Sequence, residues 1–455
     1  MIKFFVAACL LASAILFSLG NMFNSDEGLI LNGAWKMYLG QNLYTDFFSF
    51  IAPGSYLFTY GTFVLFGPTY MAARIASIAL ILAGLWALWR LGRELTRSPS
   101  VAFTSAALWF CGVILLTVTI NYNPLSSVFA ILALYGLVRA IGEQRLWRFA
   151  LAGFCTGAVI LFLQTKGLIT FAGLIILLVL FMRKGIITRG AFVWWGAGAA
   201  LLPASALVWW GMGNLFAWLI MWPLNHYLPT NKVSFLPFLT AVLLFGSLSY
   251  WLLAGHFRRD PLRVEGDSLR RNWIILIVVQ GALLASTFNR PDLPHIMWNS
   301  FGIIVMGIYA ASEWARDIPH ARQLFYEIPA LFLFFSALGY ASVALQIEQK
   351  SVALQERHRI TSVYAHPFLP QFPFLFGITD PYHYGMVLTD MFPQEAFQEN
   401  LAALRREQPD YVLTNYAMVA KFRYRTNNPL DEYIRDAYEP VERVGDLTVM
   451  KRRAD

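Results

Sequence analysis

Residues 4–28 read FFVAACLLASAILFSLGNMFNSDEG, an apolar run from Phe4 to Leu19 followed within a few residues by the acidic pair Asp26-Glu27. A helix needs roughly 20 mostly apolar residues to cross the hydrocarbon core of a bilayer. The run has about the length of a secretory leader. Its basic start is Lys3 alone, and no small-residue cleavage site precedes the acids, so it reads as an uncleaved first span. Asp26 and Glu27 then stand at a membrane surface, at the mouth of a long polar loop. Carboxylates held there suggest chemistry on a lipid-borne substrate.

The rest of the chain fits that setting. Of 455 residues, 57% are hydrophobic and 14% charged, with a mean hydropathy of +0.52. Soluble domains carry about a quarter charged residues. Eleven apolar stretches read as transmembrane helices, roughly 2–20, 70–89, 101–120, 124–138, 149–163, 167–182, 191–210, 236–255, 273–288, 298–312 and 326–346. The net charge of +8 follows the membrane and is no nucleic-acid signal. With the N-terminus in the cytoplasm, the inside loops hold clusters such as Arg90, Arg93, Arg97 and Arg139, Arg145, Arg148, whereas the outside loops hold only Lys36, Lys166, Lys232 and Arg290. That asymmetry is the positive-inside rule. It predicts a multi-pass protein of the cytoplasmic (inner) membrane. Cys9, Cys111 and Cys155 all fall within predicted spans and read as isolated buried thiols, with no disulfide frame or CxxC metal site.

The first outside loop, about 21–69, contains two further helical stretches, 27–40 and 54–66, too short to span and so placed in the interface plane. Pro53 starts the second, and Gly67-Pro68 ends it. A second outside loop, about 211–235, carries Trp218, Trp222, His226 and Tyr227, read as an aromatic belt at headgroup level. Composition changes near residue 347, where charge rises. This divides the chain into a membrane domain, 1–346, and a C-terminal domain, 347–455. An odd number of spans puts the tail outside the cytoplasm. A helix near 394–408 and strands at Tyr411–Thr414 and Leu447–Met450 make it a small α/β domain.

Under this topology the unusual polar residues gather on the outer face. A charge at the bilayer centre costs about 3 kcal/mol on insertion scales, so groups at the boundary are candidates for a polar cavity. Asp26, Glu27 and Asp46 are candidate general bases. Asp26 and Glu27 equally suit a first-turn acid facing a helix dipole, and Asp46 a solvated loop carboxylate. Arg74 can grip a phosphate with two parallel bonds or anchor an interface. Lys166, in the tight Gln164-Thr165-Lys166-Gly167 turn, can bind phosphate as a point charge or snorkel. Arg290, Asp292 and His295 pack a cation, an acid and an imidazole into six residues, either a site or a salt-bridged turn. Tyr44, Asn121 and Gln164 complete the set as candidate substrate contacts. GxGxxG, P-loop and HExxH patterns are absent from the sequence.

The run Asp26-Glu27-Gly28, Ala34, Gly40, Tyr44-x-Asp46, Pro53-Gly54, Leu65-Phe66-Gly67 and Ala73-Arg74, with Thr165-Lys166-Gly167, resembles the polyprenyl-phosphate-sugar-dependent glycosyltransferases of the GT-C fold. The likeness is to the bacterial members grouped with lipid A aminoarabinose transferase and protein mannosyltransferases. It covers residues 1–90 well and the remainder by topology. The resemblance implies a polyprenyl-phosphate sugar donor, a glycan, lipid or protein acceptor, and inversion at the anomeric carbon. It also implies that Asp26 takes the acceptor proton while Lys166, Arg74 and Arg290 hold the phosphate. A second aspartate near Lys166 is lacking, with Gln164 in its place, so a divalent metal is not firmly implied and no other cofactor is. A transporter or flippase for a lipid-linked saccharide is the competing reading. It calls for repeats and mid-span polar groups, which the sequence does not show. A membrane scaffold whose tail binds a partner is the third.

Overall fold

The computed structural model describes residues 25–116, 120–228, 234–256, 268–315 and 353–454. The expected spans near 2–20 and 326–346, together with Cys9 and the side chain of Cys111, lie outside the described residues. The contacts divide the chain into two compact units.

One unit holds most of the long apolar helices. Among the described residues six helices are long and apolar enough to cross a membrane: Tyr70–Thr96, Tyr122–Glu143, Gln164–Arg183, Arg189–Trp210, Leu236–Ala254 and Ser268–Ser286. Leu146–Phe162 and Phe301–Trp314 are apolar but shorter, and Pro99–Leu116 is a further helix. Each sits within a few residues of a stretch read as a span. A total of eleven is not established by these helices. Trp109, Trp195 and Trp273 are fully buried in this unit, and so is most of Cys155.

Small residues set the closest helix approach. A Cβ on Gly153 would lie 2.0 Å from the Trp195 carbonyl oxygen, and one on Gly157 2.5 Å from that of Ala199. From the facing helix, a Cβ on Gly198 would lie 2.1 Å from the Ala150 oxygen. In lipid, where tails are as apolar as leucine, such backbone approach is what makes helices associate.

The other unit combines residues 25–76, 210–228 and 353–454. Within this unit the contacts group the first loop with the tail. The loop helices fall at Ser25–Tyr38 and Gly54–Phe66, close to the predicted stretches. Ser25–Tyr38 is buried on several sides, including Glu27, Asn32 and Lys36, as a packed helix is.

The C-terminal sheet runs β1 (Val363–His366), β2 (Tyr411–Thr414), β4 (Leu447–Arg452), β3 (Tyr438–Val444). β1 and β2 are parallel, with Tyr364 opposite Val412. β4 is antiparallel to both β2 and β3. Alternation along the strands builds two cores. Val363 and Leu413 pack with Leu354 and Phe372, while Tyr364 and Val412 pack with Phe397, Leu404 and Ile434. β2, β4 and the helix Gln394–Glu407 lie where the sequence places them. β1 and β3 are additional.

The aromatics read as a belt in 211–235 make contacts within this unit. Trp218 and Trp222 pack on Phe48, with ring centroids 5.2 and 4.9 Å away. Trp222 also stacks on Phe50 and meets Phe392.

Candidate active site

The sequence-picked residues fall into two groups, one in each unit. In the unit containing the first loop, Asp26 and Glu27 occupy the first turn of Ser25–Tyr38, where acids complement the helix dipole. Their surroundings differ. Glu27 is fully buried against Arg74. Arg74 Nη2 donates to Glu27 Oε2 at 3.0 Å and Nε to Oε1 at 3.3 Å. The Tyr70 hydroxyl donates to Oε2 at 3.3 Å, and the guanidinium lies 4.4 Å from the Tyr70 ring centroid. Asp26 is partly exposed. Burial, and then the Asp26 charge, push the Tyr56 phenol well up, and Tyr56 bonds Ser49 at 3.1 Å.

Tyr44 and Asp46 lie in the loop between the two helices. Tyr44 is buried at φ 70° and donates to the Ile51 carbonyl at 2.6 Å. Asp46 is exposed and closes a turn by accepting from the Asn42 backbone amide at 2.7 Å. Both contacts are local.

The second group surrounds Lys166. Asn121 caps Tyr122–Glu143 by accepting from the Asn123 amide at 2.8 Å, a common role for Asn at that position. The capped turn presents Asn123 and Ser127 to the start of Gln164–Arg183. Lys166, 1% exposed, donates to the Asn123 carbonyl at 2.8 Å and to Ser127 Oγ at 2.9 Å. Among the described residues no carboxylate pairs with it. Gln164 is buried beside it. Close packing fixes this turn: a Cβ on Gly167 would lie 2.2 Å from Ile160 Cα.

The Arg290–His295 segment joins the same cluster. Asn123 Nδ2 and His295 Nε2 are 3.3 Å apart. Asp292 caps the helix Leu293–Trp298, contacts His295 Nδ1 at 2.5 Å and accepts from Arg290 Nε at 3.1 Å. Burial alone would raise the Asp292 carboxyl. The bonds and charge of His295, with Arg290, outweigh it and hold the group at about 2.

Sequence reasoning missed a further buried cluster. Lys36 Nζ lies 3.2 Å from Asp380 Oδ2, which also accepts from Asn32 Nδ2 at 2.6 Å. Asn32 and Lys36 share a helix face at i, i+4, the one local signal available. It missed Tyr70, Ser127 and Asn299 as well. Asn299 Oδ1 accepts from Ser127 at 3.2 Å. Among the described residues no three His, Cys, Asp or Glu gather in a metal-binding arrangement.

A multi-pass membrane protein with a small C-terminal sheet and boundary charges resembles glycosyltransferases, and the fold is of the GT-C type. Residues 52–210 match the family model for dolichyl-phosphate-mannose-protein mannosyltransferases. Among solved structures, ArnT from Cupriavidus metallidurans bound to undecaprenyl phosphate superposes with a TM-score of 0.62 at 13% identity, covering 98% of this chain and 97% of that one. Its apo state gives 0.56 over the same shares. The Archaeoglobus fulgidus oligosaccharyltransferase in complex with zinc and sulfate gives 0.51 at 12% identity, over 95% of this chain and 71% of that one. No curated protein sequence matches. At these identities the structural likeness is one of fold.

Proposed function

We propose that the protein transfers a sugar from a polyprenyl-phosphate donor to a glycan, lipid or protein acceptor on the extracytoplasmic face of the inner membrane, with inversion. The observation that carries this reading is Lys166. An ammonium buried with only neutral oxygen partners costs several kcal/mol unless a counter-charge arrives. The phosphate of a lipid-linked sugar is such a counter-charge. It suits a cation at the start of an apolar helix, and the ArnT structure bound to undecaprenyl phosphate supports a lipid phosphate of this kind.

Each group is assigned its part of the reaction by its own chemistry. The acceptor hydroxyl oxygen attacks the anomeric carbon as the bond to the phosphate oxygen breaks. The electron pair leaves with the phosphate, whose growing charge Lys166 stabilises, with Arg290 in support. The acceptor proton passes to Asp26. Asp26 fits the base better than Glu27, because a carboxylate held by two guanidinium bonds and a tyrosine is a weak proton acceptor. Glu27 and Arg74 then position the helix that presents Asp26. Asp46, occupied in its turn, supports the loop, as does Tyr44. Gln164 and His295 line the phosphate side, with Asn121 holding the turn that bears Asn123.

The test is sugar transfer in proteoliposomes, using a panel of labelled polyprenyl-phosphate sugars and extracted envelope acceptors. Asp26→Asn should lower transfer by about 10²–10⁴-fold while donor binding persists. Unchanged transfer would remove Asp26 from the base role. Labelled lipid crossing the bilayer without transfer would point to a flippase instead.

A further inference from the structure

At the far end of the helix Tyr122–Glu143 from Lys166 lies a cavity of about 350 Å³, within the range of ligand sites. It is lined from three helices: Arg93, Glu94 and Arg97 at the end of Tyr70–Thr96, Arg139 and Glu143 near the end of Tyr122–Glu143, and Arg271 and Asn272 at the start of Ser268–Ser286.

Its charges do not balance. Arg139 binds Glu94 at 3.0 Å and Glu143 at 2.5 Å. Arg148 also takes Glu143, at 2.7 Å. Both lining carboxylates are therefore engaged. Among the described residues no carboxylate pairs with Arg93, Arg97 or Arg271. Arg93 is steadied over the Trp89 ring at 5.5 Å. Within the same lining, Arg271 Nε and Asn272 Oδ1 are buried without hydrogen-bond partners among the described residues. Buried polar groups normally find partners, so these two await a ligand that both accepts and donates.

We propose that this cavity binds a phosphate group, with Arg93, Arg97 and Arg271 on the phosphate oxygens and Asn272 on a hydroxyl or amine beyond it. Guanidinium forks match phosphate geometry. The three lining helices are all apolar enough to span, and basic pockets between such helices at the membrane surface take anionic headgroups. A lipid headgroup and a soluble phosphate share this chemistry. A positive-inside bias alone attracts anionic lipid diffusely and needs no cavity. The inference is independent of the transferase reading, since none of its residues belongs to that site.

The experiment is native mass spectrometry of the full chain in detergent, titrated separately with phosphatidylglycerol, phosphatidylcholine and inorganic phosphate. The wild type should take up one phosphatidylglycerol about tenfold or more tighter than phosphatidylcholine. R97Q/R271Q should lose that preference with an unchanged melting temperature. Displacement of the lipid by inorganic phosphate, or arginine-dependent binding of phosphate alone, would also support the site, the latter naming a soluble source. If the double variant fails to fold, exposed Arg93→Gln replaces it, with about threefold weakening expected. Lipid and phosphate binding that ignore these substitutions would overturn the proposal.

Discussion

Arg74 and Lys166 are both buried cations near the start of long apolar helices, yet the molecule equips them differently. Arg74 has a carboxylate, itself held by the Tyr70 hydroxyl, and an aromatic face. Lys166 has one carbonyl and one hydroxyl. The first cation is met by a full charge within the fold, which fits the positioning role proposed for the pair. The second is held in place with its charge uncompensated among the described residues, which is how a protein prepares for an incoming anion. Burial alone therefore does not separate a structural ion from a functional one. The count of opposing charge does.

The strongest challenge to this contrast is Lys166→Met. It should cut transfer by about 10²–10³-fold, with a melting temperature equal to or above that of the wild type, because an uncompensated buried charge is gone. Lost activity with lost stability would make Lys166 structural after all. Glu27→Gln should do the reverse. It takes the Glu27 charge away from the buried Arg74, at a cost of about 3–5 kcal/mol, and Glu27→Gln/Arg74→Met should recover part of that loss. Thermal unfolding in detergent reads both. The smallest effect sharpens the intermediate case, Asp292, whose charge is shared within one turn. Its carboxyl is held at about 2 in the fold, below the ordinary aspartate value of 3.8. A depressed carboxyl stabilises above its unfolded value and loses that contribution as pH falls through the folded one. Asp292→Asn should thus be less stable than the wild type at neutral pH, and the gap should close between about pH 4 and pH 2.

What the sequence made legible was local. Ser25–Tyr38 and Gly54–Phe66 announced themselves by length and by Pro53 and Gly67, and the tight turn singled out Lys166. β2 was readable as Tyr411-Val412-Leu413-Thr414, four residues all suited to burial on both faces. β1 was hidden because Tyr364-Ala365-His366 precedes Pro367 and reads as a turn, and β3 because Pro440 interrupts it. Pairings across the chain left no trace. Asn32 meets Asp380 from 348 residues away, and beyond the i, i+4 spacing of Asn32 and Lys36 nothing beside either residue foretells it. Glu27 and Arg74 were each visible, but their union was not, since a carboxylate and a guanidinium in a row of letters look equally free.

The glycine contacts between Leu146–Phe162 and Arg189–Trp210 bear on how the chain enters the bilayer. At 17 residues the earlier helix is about 26 Å long, short of a hydrocarbon core of about 30 Å. Alone it must thin the lipid or ride shallow. It packs first on the preceding helix Tyr122–Glu143, where a Cβ on Gly136 would lie 3.4 Å from that of Ala152, and Gly153 and Gly157 gain a second hold when Trp195 and Ala199 arrive. We infer that its final depth is set only with that second contact, so biogenesis here runs partly backward along the chain. Nascent chains truncated before residue 189 should show residues 146–162 shallower than in the full protein by cysteine-accessibility mapping, and equal depth in both would refute that order.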